Sequence, residues 1–532
     1  MRTLLACLAL VFAGAGASAA ENSLLGAAEA GDGTAALRFL DQGADPRATD
    51  PIGTTALMWA AYYGDLALVE RLVAAGADVN ARNEFGTSAL TEAAIIGNAE
   101  VIAALLAAGA DPNIENDEGE TPLMAVARTG QIQAAELLID AGADVNARED
   151  WGGQSAVMWA AARKHPAMIE FLAARGADVD ARGVIRQWER KVITEPRPKD
   201  MEKGGFTPLL YAAREGCLEC AKRLIAAGAD PDLADPERVT PLNLALLNLH
   251  FDFAAYMIEA GADIDKWDLF GRTPLYLTVD MNTLPVMGNG AMVVIPSLDQ
   301  HTALDVMRKL LEAGANPNSQ LKRRPPYRNV PQDRGGDTIL AQGATPLLRA
   351  ARAGDAPAVE LLLQHGALVD LPSKEGVTPL MAAAGVEYGL RVTRGRNRTD
   401  EGVLATMRLL LDAGADINAR MVREPRQQFF LNAAQQVRGG TTYRRGRQVP
   451  SPAALPHHTA IHGAAMRGFT PIVEFLAANG AELEAKDADG KTPLDLARGD
   501  FEENFRTEVA EPHVETVALL ERLLAESAQA AL

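Results

Sequence analysis

Positive charge is in short supply in this sequence. Its 51 lysine and arginine residues face 70 aspartate and glutamate residues, which gives a formal net charge of -19. General affinity for nucleic acid or for an anionic membrane surface rests on positive charge meeting phosphate, so this balance argues against both. Cysteine is scarce too, since the chain has three, and only Cys217 and Cys220 lie beyond the apolar N-terminal run. The sequence therefore lacks the cysteine density of a small disulfide-stapled scaffold.

Long apolar runs are absent beyond the first 20 residues. Residues 1–20 begin with Met1 and Arg2, continue through an apolar stretch to about Gly14, and end in small residues. The stretch is too short to span a bilayer and fits a secretory signal peptide, with cleavage near Ala19–Glu21. We therefore expect an exported chain, periplasmic or extracellular, with no membrane span. An excess of arginine over lysine favours a bacterial source.

Catalytic signatures are missing as well. The sequence contains no Gly-x-Ser-x-Gly and no His-Glu-x-x-His motif. Gly490, Lys491 and Thr492 resemble the end of a phosphate-binding loop, but Ala485 stands where that loop requires its first glycine. We therefore expect no enzymatic activity and no cofactor.

A unit of 33 residues organises the rest of the chain, and the copy at 116–148 shows it best. Thr121 can cap a helix whose first residue is Pro122, where a missing N–H costs nothing, and Gly130 ends that helix. A second helix follows with apolar residues at helical spacing, and Gly142 supplies the left-handed residue that stops it. Neither helix is long enough to be stable alone, so the units must stack on one another.

Copies of this helix start recur along the chain. They lie at Thr55, Ser88, Thr121, Ser155, Thr207, Thr240, Thr273, Thr345, Thr378, Thr459 and Thr492. The pattern resembles the ankyrin repeat, and the resemblance covers nearly the whole mature chain. It implies an all-α repeat solenoid of helix-turn-helix units with β-hairpin-like fingers, about twelve units including the caps. His457, His458 and His462 could place two metal ligands on one helix, but ankyrin repeats commonly carry a histidine at the position of His462, so we expect no metal.

The domain boundaries follow from the spacing of the units. Regular repeats occupy 21–182, an inserted finger 183–204, further repeats 205–485 and a C-terminal capping repeat 486–532. Four more insertions interrupt the later repeats, at 283–302, 319–343, 385–402 and 421–457. The last of these is either a degenerate repeat or, as we favour, a loop. We expect one continuous stack, because the cost of closing a loop grows only with the logarithm of its length.

Cys217 and Cys220 form a Cys-x-x-Cys motif at the start of a second helix. An exported protein allows a disulfide, and a helix N-terminus lowers the pKa of a thiol, which keeps a redox role open. However, no thioredoxin-like strand pattern surrounds the motif, and Cys220 occupies a position that is usually apolar in ankyrin repeats. Structural packing or an incidental disulfide is therefore favoured.

The finger tips carry the first candidates for partner binding. The residue before the turn glycine is apolar in four units, at Ile52, Phe85, Trp151 and Phe270. Exposed aromatic side chains are enriched among interface hot spots, whereas charged tips are ordinary for a turn. Packing of each tip on its neighbour or on an inserted loop is the alternative. Trp59, Trp159 and Tyr211 share one equivalent position on first helices, where half-burial between helices is favoured over partner contact.

The insertion at 421–457 carries the second set of candidates. It is basic, whereas the repeats are acidic. Arg444, Arg445 and Arg447, with Tyr443 beside them, could hold an anionic partner. The favoured alternative is that such basic loops fold back on the acidic repeats of the same chain.

These features favour an exported, monomeric ankyrin scaffold that binds another protein through its fingers and concave face. Two alternatives stay open. One is a redox or enzyme-accessory protein that uses Cys217 and Cys220 or the inserted loops. The other is a purely structural envelope spacer.

Overall fold

The computed structural model describes residues 23–189, 200–282, 287–288, 291–292, 298–323, 325, 340, 342–386, 399–421, 457–500 and 511–530. Contacts divide the chain into two compact units. The first unit comprises Met1–Trp188 and Met201–Leu244, and the second comprises Glu189–Asp200 and Ala245–Leu532. The signal peptide predicted at 1–20 lies outside the described residues.

The first unit is built from short helices that follow one another in pairs, with one two-stranded sheet. Its elements are α1 Leu24–Glu29, α2 Gly33–Asp41, α3 Ala56–Tyr63, α4 Leu66–Ala74, α5 Ala89–Ile96, α6 Ala99–Ala107, α7 Pro122–Thr129, α8 Ile132–Asp140, α9 Ala156–Ala162, α10 Pro166–Ala174, β1 Ile185–Glu189, β2 Asp200–Gly204, α11 Pro208–Glu215 and α12 Leu218–Ala226. The boundary between the units falls within the next helix, α13 Pro241–Leu247.

The second unit continues the same pairing. Its elements are α14 Phe251–Glu259, α15 Pro274–Asn282, β3 Met287–Gly288, β4 Ala291–Met292, α16 Ala303–Glu312, α17 Pro346–Ala353, α18 Ala356–Gln364, α19 Pro379–Ala384, α20 Asp400–Asp412, α21 Ala460–Met466, α22 Thr470–Ala478, α23 Pro493–Ala497 and α24 Val514–Ala530. The described residues thus hold 24 helices, or about twelve pairs, which confirms the expected number of repeats.

The repeat at 116–148 shows why these residues form such a pair. The Thr121 hydroxyl accepts the N–H of Met124 at 3.4 Å and so caps α7, whose first residue is Pro122. Gly130, with φ of 73°, ends the helix in the left-handed region. Gly142, with φ of 100°, follows α8 in the same conformation. The caps and the stop residues are those that the sequence predicted.

The core lies between neighbouring helices, because no helix of six to nine residues can bury an apolar face by itself. In the first unit, the residue two places after each cap is buried, at Leu57, Leu90, Leu123, Val157 and Leu209. In the second unit, one cluster joins helices to the segments around the insertions, through Tyr276, Leu321, Leu340, Ala344, Leu348, Val377, Met381, Ala382, Val386 and Met421. Stacking of repeats therefore supplies the buried apolar surface that stabilises each short helix.

Two insertions form small sheets. In the finger at 183–204, β1 pairs with β2. In the insertion at 283–302, β3 pairs antiparallel with β4, with Met287 opposite Met292 and Gly288 opposite Ala291. Within the described part of the chain, no helix combines the length and apolar character that crossing a membrane requires.

Candidate partner-binding surfaces

Successive fingers of the first unit are joined through their backbones. In each case an N–H of one finger donates to a tip carbonyl of the finger before it. The bonds run from Glu84 to Ile52 (2.9 Å), from Asp117 to Phe85 (3.1 Å), from Asp150 to Glu118 (2.9 Å) and from Val184 to Gly152 (2.7 Å). The tips are therefore fixed to one another in register, and their side chains are presented on an ordered edge.

The finger sequence itself explains how a tip side chain is displayed. The side-chain oxygen of Asn83 accepts the N–H groups of Phe85 and Thr87, both at 3.0 Å, which closes a turn around the tip. Gly86 then adopts φ of 71°. A Cβ on Gly86 would lie 2.6 Å from the backbone nitrogen of Asp117, so only glycine permits this close approach of the next finger.

Three of the four predicted tip residues belong to this first unit. Phe85 and Trp151 are strongly exposed, at 55% and 73%, and Ile52 is half-buried. Exposed apolar side chains indicate a binding site when they form a contiguous patch, whereas single ones are ordinary. Whether these residues contact a partner stays a prediction.

The inserted hairpin β1–β2 places further apolar side chains beside Trp151. The guanidinium of Arg186 lies 5.2 Å from the centre of the Trp151 ring and donates to the Trp151 carbonyl. Ile185 and Trp188 are exposed, Trp188 at 55%, and Lys203 lies 5.1 Å from the centre of the Trp188 ring. The tip surface consists of four exposed residues, Phe85, Trp151, Ile185 and Trp188.

Phe270 departs from its expected exposure, because only 1% of it is exposed. The guanidinium of Arg272 lies 5.3 Å from its ring centre. Its carbonyl accepts the N–H groups of Lys322 and Arg323, at 2.9 and 3.1 Å. The start of the insertion at 319–343 thus lies against this tip. Phe270 therefore follows the alternative in which a tip packs on an inserted loop.

The first helices of the first unit carry a second set of large side chains. Trp59 and Trp159 are half-buried, as favoured from the sequence, whereas Tyr211 is buried. Trp59 forms an aromatic group with Tyr62 and Tyr63, with ring centres 5.9 and 6.3 Å from its own. Trp59 therefore packs against aromatic rings of its own helix.

Glu92 occupies the same helix position as Trp59 and was not predicted from the sequence. It is 8% exposed, and burial raises its pKa to about 7. Its Oε2 atom is shielded from solvent and has no hydrogen-bond partner among the described residues. The sequence does hold one signal for Glu92, because neighbouring repeats have an aromatic or small residue at this position.

Glu120 offers a contrast, because it is equally buried but paired. It is 6% exposed, and Arg128 lies 2.6 Å from its Oε1 atom. Burial raises the pKa of Glu120, and the charge of Arg128 opposes that rise. The guanidinium of Arg128 also lies 5.1 Å from the centre of the Trp159 ring. This acid, cation and indole form one compact group.

Cys217 and Cys220 are joined by a disulfide, with their Cα atoms 5.2 Å apart. Both residues are buried, and Cys220 is completely so. The disulfide lies at the N-terminus of α12, where Cys217 is the capping residue. Thiol exchange requires access to a sulfur atom, which this burial restricts.

Of the histidines considered as metal ligands, His462 is part of the cap of α21. Thr459 donates its N–H to Nδ1 of His462 at 3.2 Å. His458 stacks on His462, with ring centres 5.5 Å apart, and its Nε2 atom lies 3.5 Å from Asp487. Burial, with His462 next in effect, lowers the pKa of His458 to about 4. In the described ranges, no group of three or more His, Cys, Asp or Glu side chains is arranged to hold a metal ion.

The three arginines predicted to bind an anionic partner, Arg444, Arg445 and Arg447, lie outside the described residues.

Known proteins match this chain through its repeats. The family model for ankyrin repeats (3 copies) matches residues 24–116, 92–183, 209–287 and 300–421, together more than half of the chain.

Three curated relatives show how far this similarity extends. The B-cell lymphoma 3 protein homolog of Mus musculus is 28% identical over 303 residues, which cover 56% of this chain and 49% of that protein. Ankyrin repeat and SOCS box protein 16 of Homo sapiens is 31% identical over 227 residues, covering 41% of this chain and 48% of that protein. Inversin of Homo sapiens is 26% identical over 226 residues, covering 42% of this chain and 17% of that protein. The chain thus matches less than half of the length of each of these relatives.

Proposed function

This chain belongs to the ankyrin-repeat family, and from that premise we propose that it is an exported scaffold that binds another protein and has no catalytic activity of its own. Ankyrin repeats are associated with protein partners. The partner site that we propose is the tip surface, extended by the first-helix faces of the first unit. The array of repeats acts as a solenoid that presents both.

The observation that carries this proposal is the exposure of Trp151 on an ordered finger edge. Trp151 is 73% exposed, and the hairpin beside it exposes Trp188 as well. Backbone hydrogen bonds between fingers hold the backbone of the tips in place before a partner arrives, so little backbone entropy is lost on binding. Tryptophan and arginine are among the residues enriched at interface hot spots. Arg186, stacked on Trp151, completes that combination.

Export rests on the N-terminal sequence. Residues 1–20 have the charged start, the short apolar stretch and the small terminal residues of a signal peptide. A disulfide between Cys217 and Cys220 accords with an oxidising compartment. Sequencing the N-terminus of the exported protein tests this part, and Ala20 or Glu21 is expected as the first residue.

A redox role for the disulfide receives less support. Cys220 is completely buried, whereas catalytic thiols need an accessible sulfur. Partner binding that is equal with and without dithiothreitol is therefore expected.

Affinity capture with tip-surface variants tests the binding function. The full mature chain is immobilised and exposed to the exported proteins of its own source, and the captured partner is then purified and titrated against each variant. The double variant Trp151→Ala/Trp188→Ala should bind at least tenfold more weakly with an unchanged melting temperature. Leu368→Ala, which removes another strongly exposed apolar side chain, is the matched control and should bind like the parent. Equal affinity of all three proteins would contradict the proposed surface.

A further inference from the structure

One face of the hairpin β1–β2 combines indole rings with cations. Side chains two residues apart on a strand point to the same face, so Arg186 and Trp188 share one. Lys203 lies on that face too, because its ammonium group is 5.1 Å from the centre of the Trp188 ring. Trp151, on the preceding finger, meets the same face, since the guanidinium of Arg186 is 5.2 Å from the centre of its ring. These four exposed residues form the hairpin face.

The carboxylates of the hairpin lie on the opposite face. Gln187 follows Arg186 on β1 and so points the other way, and its amide donates to Glu202 at 2.8 Å. Glu189, two residues after Gln187, belongs to that second face as well. Among the side chains that the structure describes, the hairpin thus separates its charges, with cations on one face and carboxylates on the other.

The two cations of the hairpin face are left without acidic partners. Arg186 and Lys203 each contact an indole ring, and among the described residues neither has a carboxylate partner. Arg175 shows a more complete arrangement in the same unit, because it lies 4.9 Å from the centre of the Phe171 ring and also donates to Asp140 at 2.8 Å. A guanidinium stacked on a ring keeps N–H groups at its edge for a carboxylate. The hairpin face therefore offers two exposed cationic positions to carboxylates from outside the chain.

The charge around the hairpin face makes this offer local. Residues 23–182 hold 24 acidic and ten basic residues, a formal charge of -14, whereas the insertion at 183–204 holds four acidic and six basic residues, or +2. The fingers before the hairpin expose Glu84, Glu118 and Asp150 at their tips. An acidic segment is attracted by the hairpin face and repelled by these tips, which restricts it to one position on the edge.

We propose that the hairpin face binds an acidic segment of the partner protein, whose carboxylates pair with Arg186 and Lys203 while its apolar side chains cover the rings of Trp151 and Trp188. This inference rests on the proposed function, since it assigns the chemistry of the partner at the tip surface. Covering the two rings would exclude water from the ion pairs and strengthen them. A basic segment is a poorer occupant, because it would meet two cations that no described carboxylate neutralises.

A peptide of simple sequence tests the site without knowledge of the partner. The full mature chain is titrated by ligand-observed NMR with a capped hexapeptide of alternating glutamate and leucine, and with the matching peptide of glutamine and leucine, which has a similar shape and no charge. Saturable binding of the glutamate peptide and at least tenfold weaker binding of the glutamine peptide are expected. Equal binding of the two peptides, or no saturable binding of the glutamate peptide, would overturn the proposal.

Variants place the binding on the hairpin face. Arg186→Gln/Lys203→Gln should weaken binding of the glutamate peptide at least tenfold. Arg163→Gln/Lys164→Gln removes the same charge from exposed residues between α9 and α10, so it is the matched control and should bind like the parent. Equal binding by the two double variants would refute the site. Arg186 also contacts the preceding finger, so Lys203→Gln alone, with an unchanged melting temperature and weaker binding, separates loss of charge from loss of fold.

The acidic segment and the scaffold function can fail separately. A captured partner whose binding needs Trp151 and Trp188 but neither cation would refute the acidic segment and leave the scaffold function standing. Conversely, binding of the glutamate peptide that depends on Arg186 and Lys203, with no partner captured, would support the hairpin face and count against the scaffold function.

Discussion

The backbone N–H of Asp117 donates to the carbonyl of Phe85 at 3.1 Å, while the phenyl ring of Phe85 is left 55% exposed. The finger tip is thus held by its backbone and free at its side chain. Because the two functions use different atoms of one residue, side-chain truncation and backbone disruption should have separable effects.

Phe85→Ala should weaken binding of the partner and leave stability unchanged. The substitution keeps the carbonyl that Asp117 uses and removes only the exposed ring. Truncation of a hot-spot aromatic costs about 2 kcal/mol or more in binding. Titration of the partner and a thermal melt of the variant give the two values. Unchanged affinity would remove Phe85 from the tip surface.

Gly86→Ala provides the complementary control. Its Cβ would meet the backbone nitrogen of Asp117 at 2.6 Å, and its φ of 71° is unfavourable for alanine. A left-handed conformation costs an L-residue about 1 to 2 kcal/mol. The melting temperature of Gly86→Ala should therefore be lower than that of the parent, whereas that of Phe85→Ala should be unchanged.

The helices were predictable from the sequence because their signals are local. Thr121, Pro122 and Gly130 each act within one turn of a single helix, and the structure uses each of them as predicted. The number of repeats followed from the same signals, since every copy repeats them. Cys220 was likewise expected to be buried, because its position in the repeat is an apolar one, and it is.

The side-chain environment of the candidate residues was less predictable, because it depends on other repeats. Phe270 has the same local sequence context as an exposed tip, and it is buried because a finger about 50 residues later lies against it. Trp188 lies in the insertion at 183–204, which has no helical period from which its exposure could be predicted. Glu92 resembles any helix-surface acid until its burial is known.

If Arg444, Arg445 and Arg447 hold an anionic partner, substitution of all three by glutamine should weaken partner binding mainly at low salt. Exposed charges separated by more than about 10 Å are largely screened at 0.1 M salt, whereas buried hydrogen-bonded pairs are screened much less. The melting temperature should stay close to that of the parent. Titrations at 20 mM and 300 mM salt measure the effect. If the variant melts earlier and binds equally well, the basic insertion folds back on the repeats and does not recognise the partner.

His458 should make the fold sensitive to acid. Its pKa is lowered from 6.5 in the unfolded chain to about 4 in the folded chain, mainly by burial. Between these values the unfolded chain binds a proton that the folded chain does not, so stability is lost as pH falls from about 6.5 towards 4. Glutamine stays neutral, so the melting temperature of His458→Gln should fall less than that of the parent between pH 7 and pH 4.5. His457→Gln alters an exposed neighbour and should behave like the parent. Equal losses in all three proteins would exclude His458 as a source of acid sensitivity.

Glu92 should have the opposite dependence on pH. Its pKa is 4.5 in the unfolded chain and about 7 in the folded chain, because burial disfavours the carboxylate. Between these values the folded chain holds a proton that the unfolded chain has lost. The contribution of Glu92 to the free energy of unfolding is therefore complete below pH 4.5, and it declines as pH rises towards 7.

Glu92→Gln should remove this decline. With about 1.4 kcal/mol for each unit of pKa, the variant should exceed the parent in free energy of unfolding by up to about 3 kcal/mol at pH 8 and by little at pH 4. Guanidinium denaturation at both values measures the difference, with Glu100→Gln as the exposed control. A parent that is as stable as Glu92→Gln at pH 8 would mean that the buried carboxylate of Glu92 is already compensated within the chain.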